Sequence, residues 1–251
     1  AQMPKWIYYQ DKECKELATK EMLEARIKKY IFAVMEHTKD YVSSYDVVNE
    51  PISDKTYKLR TEEDHSLWQK ILGPDYVEKM FTWAHEANPN AELVINDYNI
   101  ESTIGKREGM YNFVKEMLAK KVPISAVGLQ MHISVNDPPV EQIEETINMF
   151  GELGLKVLVT EMDVSVYNFE DKERIEYTPE LLEKQAQRYK EIFECFKRCA
   201  KKGYLTDVVL WGIMDSRSWK NDFPVPGRTD IPLLFDGKGK AKPSFYSITE
   251  E

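Results

Sequence analysis

Short β-branched runs alternate with longer amphipathic segments along this chain, and no other property of the sequence restricts the fold as much. Strands are predicted at Asp46–Asn49, Leu93–Asp97, Ile124–Met131, Val157–Thr160 and Val208–Trp211, where apolar residues cluster between turn signals. A helix over residues 19–39 would carry Leu23, Ile27, Tyr30, Ile31 and Val34 on one face. Gly73-Pro74-Asp75 would open the next helix, turning Val77, Met80, Phe81 and Ala84 inward until Asn88-Pro89-Asn90 stops it. Further helices are predicted near 107–120 and 140–153, from Thr178-Pro179 to Gly203, and after Pro243.

Strands that alternate with helices pair in parallel, so the pattern predicts an α/β fold. Polar or aromatic residues stand at the C-terminal strand ends: Asn49-Glu50, Asn96-Asp97, Gln130 with His132, Glu161, and Trp211. That is the end at which a (β/α)8 TIM barrel builds its site. A doubly wound sheet would usually carry a Gly-rich phosphate turn, and the sequence has none. Five βα units are visible where a closed barrel has eight. An open set of five would leave strand edges bare. The expectation is a single domain over residues 1–251 that supplies about strands 4–8 of the barrel, with the first three units coming from a separate or missing segment.

Composition excludes several roles. A formal charge of −9 and a pI near 5.2 leave no basic stripe for nucleic acid. Apolar runs such as Val208-Val209-Leu210-Trp211 are far too short to span a bilayer. Ala1-Gln2-Met3-Pro4-Lys5-Trp6 has neither the basic start nor the apolar core of a signal peptide, though a processed chain would look the same. Cys14, Cys195 and Cys199 make no disulfide framework, and Cys195 with Cys199 lacks the further ligands of a zinc site. No metal or cofactor is expected. Fourteen Tyr, ten Phe and five Trp do supply flat surfaces of the kind that sugar rings stack on.

Two glutamates stand out chemically. Glu50 and Glu161 each end a short apolar strand, and paired carboxylates are the machinery of glycosidic bond hydrolysis. The Asn49 amide beside Glu50 could hold a sugar 2-hydroxyl; a loop-capping Asn-Glu before Pro51 is the plainer reading. Glu161 and Asp163 share a strand face by alternation, as do Gln130 and His132. His132 could bridge to either acid, or simply be a satisfied core histidine. Trp211 and Trp219 could form a stacking wall or pack under a loop, and Tyr98 could be a platform or a half-buried loop aromatic.

Taken together, these segments resemble the family 10 glycoside hydrolases, the endo-β-1,4-xylanase family. The likeness rests on Asp46-Val47-Val48-Asn49-Glu50, Asn96-Asp97-Tyr98-Asn99, Gly128-Leu129-Gln130-Met131-His132, Val159-Thr160-Glu161-Met162-Asp163 and the segment from Trp211 to Trp219. Tyr45 stands where the family usually has Trp. The resemblance implies a retaining double displacement, with Glu50 as general acid/base and Glu161 as nucleophile. It implies that Asn49 binds the sugar at the cleavage point, that His132 hydrogen-bonds the nucleophile, and that Asp163 completes this network. Gln130, Tyr98, Trp211, Trp219 and Arg217 would line the cleft for xylan or a xylo-oligosaccharide. Gln2 matches the end of the family's third-strand motif. A complementary N-terminal barrel segment would be the chain's partner. Secretion is the expected location and the cytoplasm the alternative. A β-1,4-glucanase, a mixed-specificity glycosidase or an inactive sugar-binding fragment are the competing readings.

Overall fold

A computed structural model describes residues 3–169 and 171–250 of the chain. They form two compact units, one of the residues up to Asp97 with Glu108–Ala126, the other of Tyr98–Arg107 with the residues from Val127 onward. Gln2 lies outside the described residues.

In the first unit, α1 (Lys20–Thr38) begins where the Thr19 hydroxyl accepts a hydrogen bond from the Met22 N–H at 3.2 Å. Its buried stripe is Leu23, Ile27 and Met35. Tyr30, expected on that stripe, is 56% exposed among the described residues. A six-residue helix, α2 (Leu67–Leu72), was not foreseen. Gly73 ends it in a left-handed conformation, φ 89°, so this glycine closes one helix instead of opening the next. The following helix, α3 (Tyr76–Ala87), buries Val77, Met80, Phe81 and Ala84 as its periodicity predicts. Ion pairs between Lys79 and Glu24 (2.7 Å) and between Lys28 and Glu86 (2.8 Å) tie α3 to α1.

Strand β1 (Ser44–Asn49) pairs in parallel with β2 (Glu92–Asp97), Asn49 opposite Asn96. Leu93, Val94 and Ile95 are all buried, as befits a parallel strand covered on both faces. Helix α4 (Ile104–Ala119) starts earlier than predicted and contributes its first residues to the second unit.

The second unit is organised around one long strand. The predicted strand Ile124–Met131 is two short pieces, β3 (Ala126–Leu129) and β4 (His132–Ser134). Met131 adopts φ 60° between them, which interrupts the strand. After α5 (Val140–Gly151) comes β5 (Lys156–Ser165), which runs five residues past the predicted end at Thr160. It hydrogen-bonds β3 and pairs in parallel with β4 and with β6 (Leu205–Leu210). Trp211 therefore lies just past the end of its strand.

Helix α6 (Pro179–Lys201) is capped by the Thr178 hydroxyl, which accepts from the Leu181 N–H at 3.3 Å. It clasps the far end of β5: the Gln185 amide donates to Val164 O (2.8 Å) and Ile231 O (2.7 Å), and the Tyr189 hydroxyl to Pro232 O (2.7 Å). A last helix, α7 (Pro243–Thr249), closes the unit. The fold is thus α/β with parallel strands, as predicted. Among the described residues, no helix is long and apolar enough to cross a membrane.

Candidate active site

The first unit holds one of the two glutamates. Glu50 follows β1 directly and adopts φ 55°, a left-handed conformation that costs a non-glycine residue about 1–2 kcal/mol. Its peptide groups are tied on both sides. The Glu50 N–H donates to Asn96 O at 2.8 Å, and Arg60 Nε donates to Glu50 O at 2.9 Å. Arg60 is itself braced by Asp54 at 3.0 Å. Such a turn lifts the carboxylate out of the strand's alternation and leaves it exposed. The Asn96 amide donates to Asn49 Oδ1 (2.9 Å), and Asn49 Nδ2 reaches Glu50 Oε1 at 3.4 Å. Asp97, wholly buried, accepts the Ile52 N–H at 3.0 Å and fixes the loop after Glu50. Asn49 and Glu50 are therefore neighbours in space as well as in sequence, and Asn96, Asp97 and Arg60 hold them.

In the second unit a chain of polar contacts crosses from β4 to β5. His132 Nε2 lies 3.3 Å from Glu161 Oε2, and His132 Nδ1 lies 3.0 Å from Asp163 Oδ2. One imidazole touching both acids requires them to share a strand face, as the alternation along β5 predicts. Gln130 does not continue the face of His132 along a regular strand. The Met131 turn separates them, and Gln130 is buried with 2% exposure. Trp219 Nε1 donates to the same Asp163 oxygen at 2.7 Å. Its ring stands edge-on to His132 with centroids 4.9 Å apart, and Trp211 lies 6.5 Å from His132 on a similar edge.

Electrostatics give this chain a charge state. Burial pulls the His132 imidazole toward neutrality, but its hydrogen bonds to Asp163 and Glu161 outweigh that and push its pKa up to about 9. At neutral pH the ring is a cation that donates from both nitrogens, and both carboxylates accept.

The remaining predicted residues divide. Trp211 and Trp219 remain 48% and 37% exposed, so each keeps ring surface available beside His132. Tyr98 has Lys106 Nζ 3.4 Å from its ring centroid, so one face of that ring is taken by a cation. Arg217 is exposed at the end of the turn Asp215–Arg217, and no hydrogen bond, ion pair or ring contact joins it to the cluster among the described residues. Two residues that sequence reasoning missed are Arg60 and Lys220. The Lys220 ammonium sits 3.3 Å from Asp163 Oδ1 with only 7% of its side chain exposed. Its position directly after Trp219 is its only local signal. No group of three or more His, Cys, Asp or Glu side chains among the described residues is arranged to hold a metal ion.

Comparison with known proteins identifies the family. The family model for glycosyl hydrolase family 10 matches residues 1–251. Endo-1,4-beta-xylanase A of Caldicellulosiruptor saccharolyticus is 42% identical, over 98% of this chain and 71% of its own length. Endo-1,4-beta-xylanase C of Paenibacillus barcinonensis is 40% identical over the whole chain, which spans 24% of that larger protein. A solved family 10 structure from Paenibacillus barcinonensis superposes with a TM-score of 0.96 at 40% identity, covering 100% of this chain and 73% of its own. A family match along the full chain leaves one conclusion: the chain belongs to glycosyl hydrolase family 10.

Proposed function

We propose that this chain is the part of a retaining endo-β-1,4-xylanase that carries both reacting glutamates. The observation that carries the reading is the Glu161–His132–Asp163 chain. A nucleophilic carboxylate needs a fixed position, and the His132 imidazolium 3.3 Å from Glu161 gives it a charged hydrogen-bond donor. Glu50, with the Asn49 amide 3.4 Å from its carboxylate, takes the other role, protonated in one step and ionised in the next. In the first step Glu50 gives its proton to the leaving sugar oxygen while Glu161 attacks the anomeric carbon. In the second, Glu50 takes a proton from the water that displaces Glu161. Asn49 would hold the sugar 2-hydroxyl, Trp211 and Trp219 would stack on rings, and Gln130, Tyr98 and Arg217 would serve the cleft less directly. The substrate class comes from the relatives, which are named endo-1,4-beta-xylanases.

The reading extends to architecture. We assign the parallel strands to the C-terminal part of a (β/α)8 barrel that a complementary N-terminal segment completes. Strand β6 supports this: among the described residues it pairs only with β5, and Val209 on it is 52% exposed.

The test uses the chain co-expressed with the N-terminal segment of a family 10 barrel. Glu50→Ala should lower xylan hydrolysis by about 10²–10⁴-fold while still cleaving an aryl xyloside whose leaving group needs no proton. Glu161→Ala should lose both activities. Turnover of either substrate by Glu161→Ala at near the parent rate would sink the nucleophile assignment.

A further inference from the structure

Asp163 is wholly buried, and its two oxygens are used differently. Oδ2 accepts from His132 and Trp219. Oδ1 has no hydrogen-bond partner among the described residues, yet Lys220 Nζ lies 3.3 Å from it as an ion pair. The ammonium is also 4.7 Å from the Trp219 ring centroid. A lysine so enclosed is costly unless its charge answers another, and Asp163 is the carboxylate it meets. We infer that Lys220 is a positioning residue: as the fixed counter-charge of Asp163, it governs how tightly His132 holds its proton and so how far Glu161 keeps its donor as pH rises.

The argument runs through charge balance and rests on the reading of Glu161 as nucleophile. In the resting state two carboxylates, Glu161 and Asp163, face two cations, His132 and Lys220. Attack turns Glu161 into a neutral ester, which leaves one carboxylate between two cations. His132 then holds its proton less tightly until water restores the carboxylate, so the strength of its hold changes between the two steps. Without Lys220, the imidazolium would keep a whole Asp163 charge to itself and stay protonated throughout. Lys220 opposes the upward push on the His132 pKa. Burial holds the Tyr189 hydroxyl on α6 protonated, which also senses Asp163, Asp215 and Asp230, so it adds no charge to the count.

The test reads the His132 ring directly by NMR titration of the chain, with His132→Asn used to assign the signal. Lys220→Met and Lys220→Gln should each raise the His132 midpoint by about 1 pH unit, whereas Lys220→Arg should leave it near the parent value. The alkaline limb of kcat/KM in the complemented enzyme should move with it. An unmoved or lowered midpoint in a folded neutral variant would overturn the inference. Unfolding of both neutral variants would overturn it too, since Lys220 would then be a purely structural residue. A raised midpoint together with full activity of Glu161→Ala would sink the nucleophile reading alone and leave the coupling of Lys220 to His132 standing.

Discussion

His132 binds its proton more tightly in the folded chain than in the unfolded one, and stability must follow. Its pKa is about 9 when folded, against an ordinary 6.5, because the hydrogen bonds to Asp163 and Glu161 outweigh burial. A raised folded pKa contributes stability that is fully present below about pH 6.5 and is lost as pH rises through about 9. The loss amounts to about 2–4 kcal/mol. Urea unfolding of the parent and of His132→Asn between pH 6 and 10 checks this: the gap between them should shrink as pH rises, and a constant gap would refute it. At this scale the sequence was informative where a residue's chemistry contradicts its local setting. Glu50 and Glu161 are acids at the ends of apolar runs, and that conflict is visible without coordinates. Lys220 shows no such conflict, since a lysine in a polar loop reads as solvated until Asp163 is found beside it. Arg60 was hidden for the same reason, because its work is a bond to the backbone of Glu50, which leaves no trace in residue type.

Elements were legible in proportion to their length and periodicity. The inward faces of α3 and the cap of α6 followed from spacing and from Thr178-Pro179. Tyr30 on α1 did not, because periodicity tells which face a residue shares and not what covers it. Helix α2 is too short to display a period, and the Met131 turn has no glycine to mark it. The support of β5 by α6 could not be read from the sequence either, yet it is what steadies Asp163. Gln185 is fully buried and bonds two backbone carbonyls, one of them Val164 O next to Asp163. Gln185→Leu takes one donor from each carbonyl, Ile231 O keeping the Lys242 ammonium, so stability should fall by about 1–3 kcal/mol. The urea midpoint measures it. A change under 0.5 kcal/mol (about the effect of an ordinary surface substitution) would mean the clasp contributes nothing.

At the scale of the whole molecule, alternation gave the α/β class and the parallel pairing, while the strand count raised the question of what else the barrel needs. The chain spans 71% and 24% of the two curated relatives compared and 73% of the solved structure. Apolar side chains at and beyond β6 stand in solvent, Val209 at 52%, Trp211 at 48% and Ile213 at 76% exposure. A strand edge and ring surfaces left this way are poorly fixed, and catalysis by two carboxylates is sensitive to placement: about 1 Å of error can cost 10²-fold. Binding energy from sugars remote from the cleaved bond is lost as well, and such losses fall on kcat and not only on KM. The chain by itself should therefore hydrolyse xylan at least about 10²-fold more slowly than the chain joined by an N-terminal family 10 segment. Reducing-sugar release from xylan, with a β-1,4-glucan assayed in parallel, separates the outcomes. Equal rates with and without the segment would end the complementation proposal. Recovery on the glucan alone would keep the complementation and replace xylan as the substrate. Recovery on xylan, with Val209 and Ile213 becoming protected from solvent in the complex, is the result the exposed β6 edge leads us to expect.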